Sequence, residues 1–371
     1  MCAAIAFGHD ARSAGADVPR PLPQCAIRSC RTRCVTMSRP SPPIALVAMP
    51  ARTSEFDLIA RIRRRVGGRD DVILGIGDDA AILRLPAGRD LVVAMDTLNA
   101  GVHFPEDTAP ADIGWKALAV NLSDLAAMAA EPAWCTLSLS LPASDTSWVD
   151  GFLDGFLDLA AQHGVALVGG DTTRGPLSVC VAAHGLLAPR GALRRDAARV
   201  GDDIWITGTL GDAAGALRQW QSGDAPDPAL RARLDRPTPR LAAGRALAGI
   251  AHACIDVSDG LLADLGHICA ASRVGARIEI DALPASDALR AAFAVDALRN
   301  LQAAGGDDYE LCFSAPKTAR PAIEDALAQC DVAATRIGVL VAADEGIVAR
   351  DREGLVWTPP RRGYAHFANP D

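Results

Sequence analysis

Apolar residues recur at helical spacing along Glu55-Phe-Asp-Leu-Ile-Ala-Arg-Ile62, with Phe56, Ile59 and Ile62 on one face. Ser54 is a suitable N-cap for that helix. Leu91-Val-Val-Ala-Met95 is an apolar run of strand length that delivers Asp96. Residues 112–130 return to the helical period through Trp115, Leu118, Leu122, Leu125 and Met128, and Pro132 is expected to end the helix. Strands are predicted over 136–141, 165–168 and 178–185, with a helix over 148–163. This alternation defines one mixed α/β unit.

A connection rich in Arg and Gly covers 189–201, and Asp203-Ile-Trp-Ile-Thr207 opens a second unit. Helices over 212–220 and 261–271 and strands over 276–280, 309–313 and 335–341 are expected in it. Ser258 is positioned to cap the second helix, and residues 222–228 carry the turn chemistry of a surface loop. A boundary near residue 190 gives an N-terminal domain over 54–188 and an α+β C-terminal domain over 190–367. A chain of 371 residues can hold two such domains, each with its own core.

The first 48 residues break the pattern. Arg12, Arg20, Arg28, Arg31, Arg33 and Arg39 stand among many prolines, with only Asp10 and Asp17 as acids. Residues 1–48 read as a disordered or non-native extension, with Met37 and Met49 as candidate starts; an organelle transit peptide has the same composition. Cys25, Cys30 and Cys34 have loose metal-ligand spacing, but no fourth ligand stands nearby.

Half of the residues are hydrophobic, which excludes a largely disordered chain. The formal charge of −8 argues against nucleic acid as a partner. No apolar run approaches the roughly 18–20 residues that cross a bilayer, so no membrane partner is expected. Cys135, Cys180, Cys254, Cys269, Cys312 and Cys330 are scattered through apolar contexts. They read as buried free thiols of a reducing cytoplasm.

The chemistry lies in the acids. Gly75-Ile-Gly-Asp78-Asp79, Ala94-Met-Asp96, Asn121-Leu-Ser-Asp124, Gly169-Gly-Asp171 and Asp256-Val-Ser-Asp259 mostly follow short apolar runs. A strand ending in such an Asp would present its carboxylate at a loop rim, where α/β sheets bind ligands. Each segment alone is also an ordinary turn or cap. Gathered in one cleft, Asp79, Asp96, Asp124, Asp171, Asp256 and Asp259 would need cations, because two carboxylates about 4 Å apart repel by about 4 kcal/mol at an effective dielectric near 20. Carboxylates are hard ligands suited to Mg²⁺, and Mg²⁺ partners polyphosphates. The chain has no Gly-x-x-x-x-Gly-Lys-Ser/Thr loop and no protein-kinase signature, so metals would carry most phosphate binding. Lys116 and Arg195 are candidates to neutralise phosphate charge, although Lys116 also stands one helical turn after Asp112 and suits a surface ion pair. His103 follows the Asp96 segment and reads as either structural or functional.

In order and spacing these segments, with Gly305-Gly-Asp-Asp-Tyr-Glu-Leu311, resemble the thiamine-monophosphate kinase family, within the superfamily of aminoimidazole ribonucleotide synthetase and selenophosphate synthetase. The resemblance runs from about Glu55 to Phe367. It implies a two-domain α/β (α+β) fold like that of aminoimidazole ribonucleotide synthetase, with a mixed-sheet N-terminal ATP-binding domain. It also implies ATP- and Mg²⁺-dependent conversion of thiamine monophosphate to thiamine diphosphate by direct in-line transfer, in a homodimer whose ATP site lies near the subunit interface. By position, Asp79, Asp96, Asp124, Asp171, Asp256 and Asp259 would bind several Mg²⁺ ions. Gly170, Asp171, Arg195 and Ser258 would contact ATP, and His103, Asp307 and Tyr364 the thiamine phosphate. The acceptor oxygen is already anionic, so no acid–base residue is expected. Asp307 stands where the family has Glu, Ala94 and Met95 where it often has Ser or Thr, and Ala129 where it has Gly; the last is expected to alter helix packing slightly. Sister enzymes provide alternatives, either selenophosphate synthetase-like or hydrogenase-maturation dehydratase-like. Against them stand the context of the N-terminal cysteines and the lack of a C-terminal Cys. A nucleotide sensor without turnover is the alternative from another class.

Overall fold

A computed structural model describes residues 54–361, 363 and 364. The expected extension over 1–48, with Cys25, Cys30 and Cys34, lies outside the described residues.

Helix α1 (Glu55–Arg65) starts as expected: the Ser54 hydroxyl accepts the Asp57 N–H, and the Asp57 carboxylate accepts the Ser54 N–H. A short antiparallel pair, β1 (Val72–Leu74) and β2 (Ile82–Leu83), carries the Gly75–Asp79 segment between its strands. Then come β3 (Asp90–Asn99), α2 (Pro110–Ala127), β4 (Glu131–Leu141), α3 (Thr146–Gln162), β5 (Ala166–Arg174) and β6 (Ser178–Leu187). The four longer strands form one sheet in the order β3-β6-β4-β5, parallel between β4 and β5 and antiparallel elsewhere.

Two details correct the sequence reading. Pro132 does not end α2; it lies inside β4. The helix stops because Ala129 turns to φ 60°, where the Ala130 N–H reaches back to the Leu125 carbonyl at 2.8 Å. That left-handed position favours glycine. The cost of Ala129 is therefore local backbone strain, not altered helix packing. Likewise β3 and β5 do not stop before their acids: Asp96 and Asp171 are strand residues, not rim residues.

The second half forms a seven-stranded sheet. Its elements are β7 (Asp203–Thr207), α4 (Asp212–Gln221), α5 (Pro228–Asp235), α6 (Leu241–Leu247), β8 (Ala253–Asp256), α7 (Leu261–Ser272), β9 (Gly275–Glu279), α8 (Asp287–Ala292), α9 (Val295–Ala304), β10 (Leu311–Ala315), α10 (Arg320–Ala328), β11 (Ala334–Val341), β12 (Ile347–Arg350) and β13 (Val356–Trp357). The strand order is β13-β12-β9-β11-β7-β10-β8. Strand alternation divides its residues between two cores. Trp205, Cys254, Leu311 and Phe313 join the cluster that contains α2 and α3, whereas Ile204, Ile206, Ala253, Ile255 and Cys312 join Leu265 and Ile268 of α7. The second half has a core of its own around α7, built only from its own residues. The largest core runs through both halves, with α2 buried between the sheets.

Helix α2 is held by backbone contact. A Cβ at Gly155 of α3 would stand 1.7 Å from the Ala111 carbonyl oxygen, and one at Gly114 would stand 2.0 Å from that of Phe152. Gly155→Ala must therefore push the two helices apart. We expect a loss of about 1–3 kcal/mol, read as a lower urea midpoint at unchanged slope; an unchanged midpoint would show that the helices slide freely.

Candidate active site

Helix α2 supplies the wall that joins the two sheets. The Asn121 amide oxygen accepts the Asp96 N–H of β3 at 3.1 Å, and its amide nitrogen donates to the Ala117 carbonyl. Two residues on, the Ser123 hydroxyl donates to Asp256 Oδ2 of β8 at 2.8 Å. One strand from each sheet is thus tied to neighbouring positions of one helix, and Asp124 follows directly.

The electrostatics show that these acids are close. Burial, then Asp256 and Asp96, push Asp124 up to about 8, with Arg195 opposing. Burial raises Asp256 to about 6 against the Ser123 hydrogen bond, with Asp96 raising it further and Arg195 opposing. Asp96 is raised by burial and by Asp259. Four predicted ligands and Arg195 therefore share one region, and burial with mutual repulsion raises the pKa of three of them, Asp96, Asp124 and Asp256. Among the described residues no three such side chains already stand close enough to hold one ion together. Mg²⁺ needs no such cage, because it commonly takes one or two carboxylates and completes its shell with waters and substrate phosphates. Hard carboxylate oxygens, buried at Asp256 and half-buried at Asp96, Asp124 and Asp259, are a donor set that fits it.

The Asp256–Asp259 turn has an organiser that the sequence reading missed. Asp264, in the first turn of α7, accepts the N–H groups of Ser258, Asp259 and Gly260 at 3.0, 3.1 and 3.1 Å. Ser258 therefore does not cap α7; the helix N-cap is Gly260, and Asp264 satisfies the exposed donors. Burial, with Asp256 and Asp259, raises Asp264 to about 8. An acid in the first turn of a predicted helix was the available signal.

Segment 305–310 closes over this turn. The Asp307 N–H donates to the Ser258 carbonyl at 2.9 Å, and the Tyr309 N–H to that of Val257 at 2.8 Å. A Cβ at Gly306 would lie 2.5 Å from the Ser258 oxygen, so the approach demands glycine. Asp307 and Tyr309 take φ of 68° and 50°, a left-handed backbone held against an intrinsic cost. The Tyr309 hydroxyl donates to Asp307 Oδ1 at 2.9 Å, and burial pushes its pKa up, keeping it a donor. Glu310 is fully buried between Arg233, Arg240 and the Thr207 hydroxyl.

Lys116 does not pair with Asp112, which binds Arg236 instead. It is 1% exposed and donates to Asp307 Oδ2 and to the His103 carbonyl, each at 3.0 Å. His103 Nδ1 accepts the Asn99 N–H at 3.0 Å. The Tyr364 N–H donates to the Asp259 carbonyl at 2.9 Å. The three residues expected to meet the thiamine phosphate are therefore linked to one another or to the acid turn.

Asp171, Gly170 and Asp79 do not join this group within one chain. Asp171 aligns across the sheet with Ser138, Cys180 and Thr97; Asp96 lies in the next row, with Val181, Leu137 and Gly170. Adjacent rows point to opposite faces. Asp96 and Asp171 also lie on the two outer strands, three strand spacings or about 14 Å apart. The Gly75–Asp79 segment runs along the Asp171 side, where a Cβ at Gly75 would lie 4.0 Å from the Val168 carbonyl. A separate cavity of about 180 Å³, lined by Leu141, Pro142, Ala143, Asp145, Trp148 and Leu177, offers no chemistry, since its only charged group already caps α3.

The AIR synthase related protein N-terminal and C-terminal domain models match residues 77–187 and 199–351. Two adjoining domains of this kind, with carboxylates gathered where their sheets meet one helix, define an AIR synthase-type enzyme. Thiamine-monophosphate kinase of Escherichia coli K12 is 48% identical over 322 residues, covering 85% of this chain and 99% of that protein. The crystal structure of thiamine-monophosphate kinase from Stenotrophomonas maltophilia K279a is 56% identical with a TM-score of 0.75, covering 80% of this chain and 96% of that one. AaThiL complexed with AMPPCP and TMP is 30% identical with a TM-score of 0.67, covering 84% and 97%. The chain belongs to the thiamine-monophosphate kinase family.

Proposed function

We propose that the chain transfers the γ-phosphoryl group of ATP to thiamine monophosphate, giving thiamine diphosphate. One observation carries this reading: a chain spanning nearly the whole length of its kinase relatives gathers Asp96, Asp124, Asp256, Asp259 and Arg195 where its two sheets meet α2. That identity disfavours the selenophosphate synthetase-like, dehydratase-like and sensor alternatives.

The acceptor oxygen is anionic at neutral pH, so the protein needs no general base. Its task is to bring two polyanions together and align attack on the γ-phosphorus. Asp96, Asp124, Asp256 and Asp259 would hold Mg²⁺, which offsets phosphate charge when bound. Arg195 adds fixed positive charge to the same region, and Ser258 lies on the turn that Asp264 orders. Asp307, His103 and Tyr364 would orient the thiamine phosphate.

The homodimer belongs to the same proposal. The face of the four-stranded sheet that carries Asp171 also exposes Leu91, Val93 and Met95 on its edge strand, at 48, 58 and 62%. Association there would cover apolar surface and would explain why Asp171 and Asp79 are remote from the other acids of their own chain. A cytoplasmic location is proposed from the free thiols, of which Cys135, Cys254, Cys269 and Cys312 are buried. No helix among the described residues is long and apolar enough to cross a membrane.

Phosphorus NMR of ATP and thiamine monophosphate with enzyme and Mg²⁺ tests the activity. The expected result is a new pair of diphosphate resonances beyond those of ADP. ATP consumed without them, or not consumed, removes the reading. Mg²⁺ alone is also expected to raise the melting temperature of the wild type. Equal melting with Mg²⁺ and with EDTA would count against metal binding by these carboxylates.

A further inference from the structure

We propose that Lys116 is a positioning residue for the acceptor: it holds the Asp307 carboxylate and the His103 backbone in one arrangement across the two halves of the molecule. The inference rests on the kinase reading above and adds to it a cation from neither the metal set nor the ATP set.

The geometry is specific. Lys116 projects from α2 of the first half and is 1% exposed. Its ammonium reaches Asp307 Oδ2, 191 residues away in sequence, and the His103 carbonyl, 13 residues away, at 3.0 Å each. The other Asp307 oxygen accepts from Tyr309 at 2.9 Å. Both carboxylate oxygens therefore have a fixed donor, and each keeps lone-pair capacity toward the remaining open side. Asp307 is 28% exposed, so that side is accessible. A short Asp in a strained backbone would otherwise turn freely toward water. The buried ammonium fixes its plane and supplies the counter-charge.

A merely structural role fits the placement poorly. Burying an ammonium is costly, and well-packed apolar residues usually serve stability as well or better than a buried ion pair. The retained charge acquires a purpose if the carboxylate it holds must accept a hydrogen bond from a ligand in one orientation. The ligand group would be a hydrogen-bond donor on the acceptor substrate, since the Asp307 carboxylate only accepts.

The test uses the full chain with Lys116→Met, Asp307→Asn and the double variant, each assayed with ATP and thiamine monophosphate at saturating Mg²⁺. The wild type must turn over first; if it does not, the kinase reading fails and not this inference alone. With an active wild type, Lys116→Met is expected to raise KM for thiamine monophosphate about tenfold or more, while KM for ATP stays within about twofold. The double variant should be no worse than Asp307→Asn, because Lys116 acts through that carboxylate. Additive losses, or equal changes in both KM values, would overturn the proposal. Should Lys116→Met not fold, Lys116→Gln, which keeps a donor for the His103 carbonyl but no charge, carries the same KM comparison and the same overturning result.

Discussion

Replacing Asp124 by Asn is expected to abolish most turnover, by a factor of about 10³, while the metal-free protein melts no lower than the wild type. The two halves of this result have one cause. Asp124 is half-buried beside Asp256 and Asp96, and that environment lifts its pKa to about 8. Its negative charge is therefore a burden on the empty fold. Asn keeps the size and matches the neutral form that this environment favours, so it costs the metal-free fold little. The ionised form is what a cation needs from the site, and the polyphosphate would be held through that cation, so the variant should lose binding of the metal–nucleotide pair. Circular-dichroism melting in EDTA and initial rates at saturating Mg²⁺ measure the two effects. Near-normal turnover in a folded variant would remove Asp124 from the site. A large loss of stability with proportionate loss of activity would make it a packing residue instead.

The sequence announced the acids of this site but not all of their arrangement. Asp256 and Asp259 follow a short apolar strand and precede an apolar helix, a local pattern that needs no tertiary information, and the structure keeps it. Asp124 was legible as a helix residue because the helical period runs unbroken past it. Glycine or small residues flank Asp96 and Asp171, a local pattern that predicts rim positions, yet both strands continue beyond them. Strand length depends on pairing partners, which local sequence does not contain. Opposite placement of these two acids follows from the order β3-β6-β4-β5, another non-local property. Lys116 shows the same limit. Asp112 stood one turn away on the same helix, but its partner is Arg236, and Lys116 found Asp307 in the other half of the chain. Pro132 misled because a proline tolerated at the second position of a strand looks, in sequence, like a helix stop. The actual stop, Ala129, violates the usual preference for glycine at a left-handed position and left no signal of its own.

Glu310→Gln is expected to produce the largest stability loss of any single change considered, about 3–5 kcal/mol. Glu310 is fully buried and faces two guanidinium groups, with Arg240 at 2.5 and 2.6 Å and Arg233 at 2.7 Å. Its carboxylate also accepts from the Thr207 hydroxyl at 2.7 Å, whose oxygen in turn accepts the Leu311 N–H at 2.8 Å. Gln preserves the shape but leaves two partly buried cations without a counter-charge. It also turns an amide N–H toward a guanidinium. The penalty is that of stranded charges, not the net worth of the pairs, so converting Glu310, Arg233 and Arg240 together to apolar residues of similar volume should recover much of it. Urea unfolding measures both variants. The segment between Gly305 and Leu311 gives the experiment a second readout. Glu310 anchors its far end, and Asp307 and Tyr309 hold left-handed backbone angles within it. Loosening that anchor should let the strained turn relax, so the folded fraction of Glu310→Gln is expected to show a raised KM for thiamine monophosphate with KM for ATP little changed. A loss below about 1 kcal/mol, the range of exposed ion pairs, would mean that the two arginines find water instead. The turn carrying Asp307 would then owe its shape to its contacts with Ser258, Val257 and Lys116 and not to the Glu310 anchor.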